Sequence, residues 1–526
     1  MVKRITIVGG GSAGWMTAAH LAQTLPGVEI TLVESPNVPI IGVGESTVPP
    51  IVDFMASLGL KEQDWMPACK ATYKSSICFR NFHGTDGKTM WFPFSGTWSV
   101  AGRPAAQHWL YRYFTDPAFN DRFSIYDYCT LVPEICRQGK TVRSLPNATY
   151  AYHLDAIALG ERLKVHAKGK GVKHVQALIT QVTRREDGAI DRLELDNGEA
   201  LTADLFVDCS GFRSMLLAGT LEEPFEYYTD ALFNDKAIAL RLPFDPERRE
   251  AEMVSYTLCT ALSSGWVWTI PLYNRLGTGY VYSSRHLEPD QAETEFRGFL
   301  KELLGDDRAD GLEAKHLDIR VGKHRRTWVK NCVAIGLSAG FVEPLESTGL
   351  QIVQSQVHLL AETLRARGGF NIADVNIYNK SIRDLLDSIK DFLVCHYALT
   401  EREDTPYWKD VKYTTEISDA LAEKLTLARS VLPAPGNLQR FDTGGALAGF
   451  GFNDGWYYIL VGMGHLPFAV GKQREMGVGI FDAVFQKHAA EAQQMADRLK
   501  AEHPRIGQLP SHYRFLRDNI YGGAEE

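Results

Sequence analysis

The feature that most constrains this chain is a short apolar strand followed at once by a glycine-rich turn and an apolar helix. Residues 4–8 read Arg-Ile-Thr-Ile-Val, Gly9 to Gly14 read Gly-Gly-Gly-Ser-Ala-Gly, and residues 15–25 repeat apolar side chains at spacings of three and four. That spacing predicts a helix. Glycines let the backbone turn tightly and approach a pyrophosphate, whose charge lies against the N–H groups of the helix N-terminus. The segment therefore predicts a dinucleotide-binding unit.

A carboxylate closes the next predicted strand. Glu34 ends the run Glu29–Glu34, 20 residues after Gly14. At that offset a carboxylate can accept hydrogen bonds from ribose hydroxyls. A Gly-x-Gly-x-x-Gly motif is weak evidence by itself, but the strand, the helix and the acid together predict dinucleotide binding. We expect Gly9, Gly11, Gly14 and Glu34 to contact the nucleotide.

Length and composition limit the classes of protein. The chain has 526 residues, of which 45% are hydrophobic and 23% charged, as is ordinary for a globular protein of about two to four domains. The net charge of −8 argues against a nucleic-acid-binding surface. No segment reaches the roughly 20 apolar residues that a membrane helix needs, and the apolar run before Gly9 is too short for a signal peptide. We therefore expect a cytoplasmic protein with no membrane and no nucleic-acid partner.

The cysteines carry no metal-binding pattern. None of the eight lies in a Cys-x-x-Cys or Cys/His ligand spacing. We expect reduced thiols and no metal site.

Two tryptophans share one predicted strand. Gly265–Pro271 reads Gly-Trp-Val-Trp-Thr-Ile-Pro. Strand side chains repeat every two residues, so Trp266 and Trp268 lie on one face, and Pro271 ends the ladder because it has no N–H to donate. By itself the segment favours two core tryptophans.

The Trp-x-Trp-x-Ile-Pro segment does not stand by itself. Together with the glycine turn and Thr72-Tyr73-Lys74, it resembles the flavin-dependent tryptophan halogenases, and the matching motifs run from Gly9 to about His465. The resemblance implies a wall that keeps the organic substrate away from the flavin. Its residues are Trp266, Trp268, Ile270 and Pro271.

Two further segments favour FAD over NAD. Ile41–Thr47 resembles the loop that covers the flavin in the halogenases, and Asp204–Gly211 resembles the strand that returns beneath the nucleotide in glutathione-reductase-type FAD domains. No second strand-glycine-helix motif is visible in the sequence, so we expect a separate NAD(P)H-dependent flavin reductase to supply FADH2. The resemblance extends the flavin site to Ser12, Ala13, Ser35, Ile41, Val43, Ser46, Val182, Leu337, Ser347 and Leu350.

The segment around Lys74 matches the part of the family that carries the active-site lysine. A lysine on a half-apolar stretch is more often a surface residue whose stem is buried, but the match predicts a catalytic Lys74. Desolvation lowers a lysine pKa toward neutrality. Such a lysine can either donate a hydrogen bond to hypohalous acid or be halogenated to a haloamine, and the sequence leaves both roles open.

Pro344–Gly349 precedes an apolar helix that we expect to run through about Leu364. A helix start offers backbone N–H groups to an anion. The resemblance implies that Thr348 and Gly349 bind chloride or bromide there, and that Glu346 stabilises the arenium intermediate and takes the ring proton. Without the resemblance, Glu346 would be an ordinary acid at a helix start.

The chain departs from the family where free tryptophan is held. Members that act on free tryptophan use a tyrosine pair and a glutamate for its charged groups, then a Phe-Trp pair and an asparagine for its indole. This chain has no tyrosine and no glutamate between Asp442 and Phe450, and the Phe-Trp pair becomes Gly451-Phe452. We therefore expect a variant that takes indole or an indole-bearing compound in preference to free tryptophan. The expected pocket residues are Phe92, Pro93, Phe94, Phe452 and Trp456.

These patterns predict an α/β fold with a FAD-binding Rossmann-like domain of the glutathione-reductase type, an interleaved β-rich substrate region and a mainly helical C-terminal part. The core is expected over 1–365 and the helical region, which completes the substrate pocket, over 366–526. The nucleotide-binding segments are expected at about 1–60, 150–220 and 315–365, and the β-rich region at about 70–115 and 230–300. Strands are also expected near 173–183 and 190–196, and a helix over Pro289–Leu304. We expect a monomer or a homodimer.

Two other classes stay open. A flavin-dependent aromatic monooxygenase would hydroxylate its substrate if an organic molecule reached the oxidant. A non-catalytic FAD-binding protein is the third possibility, against which the presence of both Lys74 and Glu346 argues.

Overall fold

The computed structural model of the chain describes residues 1–37, 45–95, 98–116, 119, 124–145, 148–430, 453–466 and 472–523. Its strands, in chain order, are β1 Arg4–Val8, β2 Glu29–Glu34, β3 Glu45–Ser46, β4 Thr72–Lys74, β5 Ser76–Arg80, β6 Thr89–Pro93, β7 Ser99–Val100, β8 Arg103–Pro104, β9 Ala151–Leu154, β10 Lys173–Gln176, β11 Ile179–Arg184, β12 Ile190–Leu195, β13 Ala200–Thr202, β14 Leu205–Asp208, β15 Phe225–Tyr227, β16 Lys236–Pro243, β17 Tyr256–Ala261, β18 Gly265–Pro271, β19 Arg275–Tyr282, β20 Lys315–Asp318, β21 Gly322–His324, β22 Trp328–Val329, β23 Cys332–Ala334 and β24 Gly340–Phe341.

The helices dominate the last third of the chain. In chain order they are α1 Ser12–Thr24, α2 Pro50–Ser57, α3 Glu62–Trp65, α4 Ala105–Thr115, α5 Ile125–Cys129, α6 Val132–Arg137, α7 Ala156–Gly169, α8 Arg249–Glu252, α9 Pro289–Leu304, α10 Gly349–Arg367, α11 Ile372–Ala398, α12 Pro406–Thr414, α13 Asp419–Ser430, α14 Asn453–Gly462, α15 Lys472–Ile506 and α16 His512–Asn519. Within the described ranges, none of these helices has the length and apolar character that a membrane crossing requires.

A six-stranded sheet carries the glycine turn. Its order is β10-β2-β1-β14-β23-β22, and every pair except β22–β23 is parallel. Val8 at the end of β1 pairs with Val33 on one side and Asp208 on the other, so three strands end together beside Gly9. Ligands of parallel sheets bind at the carboxyl ends of the strands. The turn therefore lies at the edge where a nucleotide is expected.

A seven-stranded sheet carries the tryptophan segment. Its order is β20-β16-β19-β18-β17-β5-β6, and β17–β5 is its parallel pair. In the central strand β18, Trp268 pairs with Cys259 on one side and with Gly279 on the other. A Cβ on Gly279 would lie 2.2 Å from Cη2 of Trp268. A glycine at this position thus leaves room for the indole.

Lys74 lies at the junction between a small three-stranded sheet and the seven-stranded sheet. β4 pairs with β9 in a three-stranded sheet of order β3-β9-β4, and Ser75 separates β4 from β5 of the larger sheet. Lys74, the last residue of β4, therefore lies where the two sheet systems meet.

The predicted α/β class, with a helical C-terminal part, is confirmed. The helix over Pro289–Leu304 is confirmed, and the helix expected after Gly349 extends to Arg367. The single strand expected near 173–183 is wrong, because Ala177 and Leu178 separate β10 in the parallel sheet from β11 in a small antiparallel sheet. The division into domains stays a prediction; β20, in the segment 315–365, pairs with β16 of the seven-stranded sheet.

Candidate active site

A cavity of about 400 Å³ opens where the strands of the parallel sheet end and α1 begins. The glycine turn forms one side and the first turn of α10 the other. Eight of the residues predicted to contact FAD line this cavity: Gly9, Gly11, Ser12, Ala13, Glu34, Ser35, Leu337 and Leu350.

Three glycines of this turn, Gly9, Gly10 and Gly14, have no room for a side chain, whereas nothing lies within 4 Å of a Cβ on Gly11. Gly9 has a φ of 113°, and a Cβ on it would lie 2.3 Å from the carbonyl oxygen of Cys209. A Cβ on Gly14 would lie 1.9 Å from the carbonyl oxygen of Gly9. The bare backbone thus reaches the cavity at the N-terminus of α1, where the first N–H groups have no acceptor within the helix. This cradle fits the pyrophosphate of FAD.

Glu34 lies over the turn and has two basic neighbours. Its Oε1 lies 2.7 Å from Nε2 of His174 on β10 and 3.5 Å from Nζ of Lys164 on α7. A Cβ on Gly10 would lie 1.4 Å from Oε2 of Glu34. The carboxylate is therefore oriented from a neighbouring strand, by a residue 140 positions away that the sequence analysis did not identify.

Not all predicted flavin contacts lie at this cavity. Gly14 is enclosed in the first turn of α1, and Ser46 and Ser347 line a second cavity instead. Val182 lines neither of these cavities, because it pairs with Leu193 further along β11 and packs into a separate apolar cluster. Ile179, three residues earlier, lines the first cavity. Ile41 and Val43 lie outside the described residues.

The second cavity, of about 200 Å³, adjoins the first. The two share Glu45, Phe212, Leu337, Phe341 and Gly349. Trp266, Trp268 and Ile270 form one wall of the second cavity. Pro271 lies at the end of β18 outside the lining, where its carbonyl oxygen accepts a hydrogen bond of 2.6 Å from Oγ1 of Thr72. Three of the four predicted wall residues therefore share one face.

Lys74 is fully buried, and its described hydrogen-bond partners are neutral. Nζ donates to the carbonyl oxygen of Thr47 and to Oγ of Ser347, both at 2.9 Å, and lies 5.0 Å from the centre of the Phe94 ring. Burial lowers the pKa of Lys74 to about 7, while Cys259 and Glu346 act in the opposite direction. A lysine in this setting can exchange a proton near neutral pH.

Glu346 ends a tight turn, Pro344–Glu346, and is fully buried. Nε2 of His396 on α11 lies 2.8 Å from its Oε1, although the contact is bent away from hydrogen-bond geometry. Burial raises the pKa of Glu346, while His396 and then Lys74 oppose the rise. The next residue, Ser347, has a φ of 61° and directs the chain into α10. The turn thus places Glu346 next to Ser347, which accepts a hydrogen bond from Lys74.

A second buried carboxylate joins the tryptophan wall to α11. Oε1 of Glu343 accepts hydrogen bonds from Nε1 of Trp266, from the hydroxyl of Tyr397 and, at 2.9 Å, from Nδ2 of Asn234. Burial raises the pKa of Glu343, and these hydrogen bonds oppose the rise. His396 and Tyr397 were not identified from the sequence. The sequence does contain one sign of this arrangement, because Glu343 and Glu346 lie three residues apart before an apolar helix and both need buried partners.

The start of α10 offers donors for an anion. Thr348 is its N-cap and is buried, and Oγ1 of Thr348 has no hydrogen-bond partner within the described residues. Gly349, the first helical residue, lines both cavities. The first N–H groups of a helix have no acceptor within it and carry partial positive charge. Halide binding at these two residues stays a prediction.

A line of aromatic rings leads away from Lys74. Ring centres are 5.8 Å apart between Phe94 and Phe92, 6.1 Å between Phe92 and Phe392, and 5.1 Å between Phe392 and Trp456. The structure thus brings together three predicted pocket residues and one, Phe392, that the sequence analysis did not identify. Pro93 is buried in β6, and Phe452 lies outside the described residues.

The fold is that of the flavin-dependent halogenases. The structure is similar to a flavin-dependent halogenase from Brevundimonas sp. BAL3, with a TM-score of 0.82, 31% identity and coverage of 98% of this chain and 99% of that one. It is also similar to the tryptophan 6-halogenase of Streptomyces toxytricini, with a TM-score of 0.85, 35% identity and coverage of 98% and 99%.

The sequence places the chain more narrowly. The family model described as tryptophan halogenase matches residues 4–476. The 7-chloro-L-tryptophan 6-halogenase of Kutzneria sp. (strain 744) is 37% identical over 541 residues, which cover 97% of this chain and 98% of that protein. The chain therefore belongs to the tryptophan halogenase family and is a flavin-dependent halogenase.

Proposed function

We propose that this halogenase delivers hypohalous acid to Lys74, and that the acid, held there, halogenates the ring of an indole or an indole-bearing compound. The observation that carries the proposal is the position of the Lys74 Nζ, fully buried between Oγ of Ser347 at 2.9 Å and the Phe94 ring at 5.0 Å. One neighbour belongs to the turn before α10 and the other begins the line of aromatic rings. The lysine is thus next to both the expected source of the oxidant and the expected site of the substrate.

The first cavity and the start of α10 prepare the oxidant. FAD in its reduced form, with dioxygen, supplies the oxidising power that turns chloride or bromide into hypohalous acid. The glycine turn and Glu34 hold the nucleotide, and the backbone N–H groups of Thr348 and Gly349 hold the halide. Trp266 and Trp268 keep the organic substrate away from the flavin, so hypohalous acid has to travel to Lys74.

The lysine donates a hydrogen bond to hypohalous acid. Two of the three ammonium donors of Lys74 are used by Thr47 and Ser347, which leaves one for the acid's oxygen. As a ring carbon attacks the halogen, the oxygen–halogen bond breaks and the carbon–halogen bond forms. The departing hydroxide takes a proton from Lys74 and leaves as water. Glu346 then takes the ring proton, whose return to Lys74 restores the starting charge.

The substrate proposal depends on the lack, in residues 442–450, of the side chains that would pair with the charged groups of free tryptophan. Free tryptophan brings an ammonium and a carboxylate, and burying either unpaired costs several kcal/mol. Residues 442–450 contain neither the tyrosines nor the glutamate that the family uses. This stretch lies outside the described residues, whereas Trp456 is buried against Phe392. We therefore propose attack at the most nucleophilic carbon of a loosely held indole, with bromide at least as effective as chloride.

Incubation with a flavin reductase, FAD, NADH, a halide and a panel of indoles, followed by mass spectrometry, tests the proposal. We expect halogenated indoles, and in competition faster turnover of indole than of free tryptophan. Faster halogenation of tryptophan at a benzo-ring carbon would overturn the substrate proposal. Products one oxygen heavier would instead indicate an aromatic monooxygenase.

The reductase is proposed to be a separate protein. FADH2 is then supplied by diffusion, and the isolated chain oxidises no NAD(P)H. Stoichiometric NADH consumption without added reductase would reveal a nicotinamide site in this chain.

A further inference from the structure

We propose that His396 is a positioning residue that holds a proton beside Glu346 and thereby keeps this buried acid in its carboxylate form for the halogenation step. The inference rests on the proposed function, in which Glu346 accepts the ring proton. It adds a second residue to that step, contributed by α11 rather than by the turn before α10.

The hydrogen bond made by Nδ1 of His396 determines which ring nitrogen faces Glu346. Nδ1 of His396 lies 3.1 Å from the backbone carbonyl oxygen of Phe392. A carbonyl oxygen only accepts hydrogen bonds, so Nδ1 carries a hydrogen. Nε2 is then the ring nitrogen that faces the acid, and it lies 2.8 Å from Oε1 of Glu346. The contact is bent away from hydrogen-bond geometry.

The short Nε2–Oε1 separation bears on the protonation of the two groups. Lone pairs of an imidazole nitrogen and a carboxylate oxygen repel at this distance, so one of the two groups is protonated. If the proton is on Glu346, the acid cannot accept another from the ring. If the proton is on Nε2, Glu346 is a carboxylate, and the ring C–H bond can break with its electron pair returning to the ring. His396 thus decides whether the base is available.

The other titratable groups near Glu346 and His396 are less suited than His396 to stabilise the carboxylate form of Glu346. Within the part of the chain that the structure describes, the other titratable groups that act on the pair are Lys74 on β4, Cys259 on β17 and Glu343 on the same turn. Glu343 is already bonded to Trp266, Asn234 and Tyr397. Burial raises the pKa of Glu346, and the contact with His396 opposes this more than Lys74 does.

Aromatic rings keep water away from the imidazole. His396 is fully buried, with ring centres of Phe79 at 4.9 Å and Phe392 at 5.4 Å. Water therefore does not replace a missing imidazole in solvating Glu346. Loss of His396 should leave the carboxyl protonated at neutral pH.

The pH profile of single-turnover product formation tests this role. In the wild type, ionisation of Glu346 gives the acid limb and deprotonation of Lys74 the basic limb. For His396→Asn we expect the acid limb to move up by about one pH unit or more, with at least a tenfold loss of rate at the wild-type optimum. The control is Tyr397→Phe, which alters the neighbouring contact to Glu343 and should leave the acid limb in place. His396→Gln replaces His396→Asn if that variant does not fold.

Difference infrared spectroscopy gives a readout that does not depend on turnover. At neutral pH we expect a band from a buried, protonated carboxyl group in His396→Asn, and no such band when Glu346→Gln is added to it. An unmoved acid limb, or the absence of the band, would overturn the inference. Failure of the proposed function is recognised separately, because Glu346→Gln would then halogenate at the wild-type rate; we expect it to lose about a hundredfold or more.

Discussion

Nζ of Lys74 lies 2.9 Å from Oγ of Ser347, although 273 positions separate the two residues in the chain. Ser347 has a left-handed backbone conformation with φ of 61°, two residues before α10 begins. Lys74 ends β4, where the small β3-β9-β4 sheet gives way to the seven-stranded sheet. Ser347 thus connects the buried lysine to the turn that carries both buried acids.

Lys74→Ala is expected to abolish halogenated product while flavin oxidation by dioxygen continues. Lys74 does not line the first cavity among the described residues, so FAD binding should survive its loss. Mass spectrometry measures the product and absorbance follows the flavin. The control is Lys61→Ala, at an exposed position before α3. Normal product yield from Lys74→Ala would show that another group handles the oxidant.

Lys74→Met is expected to change how stability depends on pH. Burial lowers the pKa of Lys74 from 10.5 to about 7, so between these values the unfolded chain binds more protons than the folded one. Wild-type stability should therefore rise with pH through this window. The methionine variant lacks this dependence and should be more stable at neutral pH, by on the order of a few kcal/mol, with the advantage vanishing toward pH 10.5. Thermal unfolding across this range measures it, and parallel curves for the two proteins would contradict burial of a titrating lysine.

Gly279→Ala is expected to displace the Trp268 indole. The added Cβ would lie 2.2 Å from Cη2 of Trp268 and 2.5 Å from the carbonyl oxygen of Ile238. We expect a loss of about 1–3 kcal/mol in unfolding free energy, and less halogenated product per flavin oxidised. The matched control is Gly298→Ala on α9, where nothing lies within 4 Å, and which should be neutral or stabilising by about 0.5–1 kcal/mol. Equal behaviour of the two variants would show that the wall tolerates the change.

His174→Ala is expected to weaken FAD binding about tenfold, since loss of a hydrogen bond to a charged group costs about 1.5 kcal/mol. Nε2 of His174 lies 2.7 Å from Oε1 of Glu34, and no flavin chemistry is needed for the measurement. Titration of FAD fluorescence gives the dissociation constant. His316→Ala is the control, because His316 also contacts a glutamate, Glu293 at 2.9 Å, but lies exposed on β20. Unchanged affinity in His174→Ala would mean that Glu34 needs no orienting partner.

Local patterns could be predicted because their physical causes are local. The turn from Gly9 to Gly14 is specified by sterics between neighbouring segments, and the shared face of Trp266 and Trp268 follows from the period of a strand. The helix over Pro289–Leu304 was predicted from that segment of the sequence and has the same bounds in the structure. Each of these features needs no knowledge of distant parts of the chain.

Contacts between distant segments could not be predicted in the same way. His396 meets Glu346, and His174 meets Glu34, only because tertiary packing brings separate elements together. Val182 was predicted from a family position, but the break at Ala177 and Leu178 starts a new strand. Ile179 then faces the cavity in place of Val182.

The parallel pairing of β5 with β17 determines when the seven-stranded sheet can form during synthesis on the ribosome. Ser76 pairs with Tyr256, so the first two strands of the seven-stranded sheet, β5 and β6, wait for a strand made 180 positions later. The two acids near Lys74, Glu343 and Glu346, are synthesised later still. Their partners on α11, Tyr397 and His396, are synthesised last. Pairing over such separations is slow, because the loop must close before the contacts form. A nascent chain shorter than about four hundred residues therefore cannot carry the complete oxidant-handling site, and synthesis runs well past the nucleotide cradle before halogenation is possible.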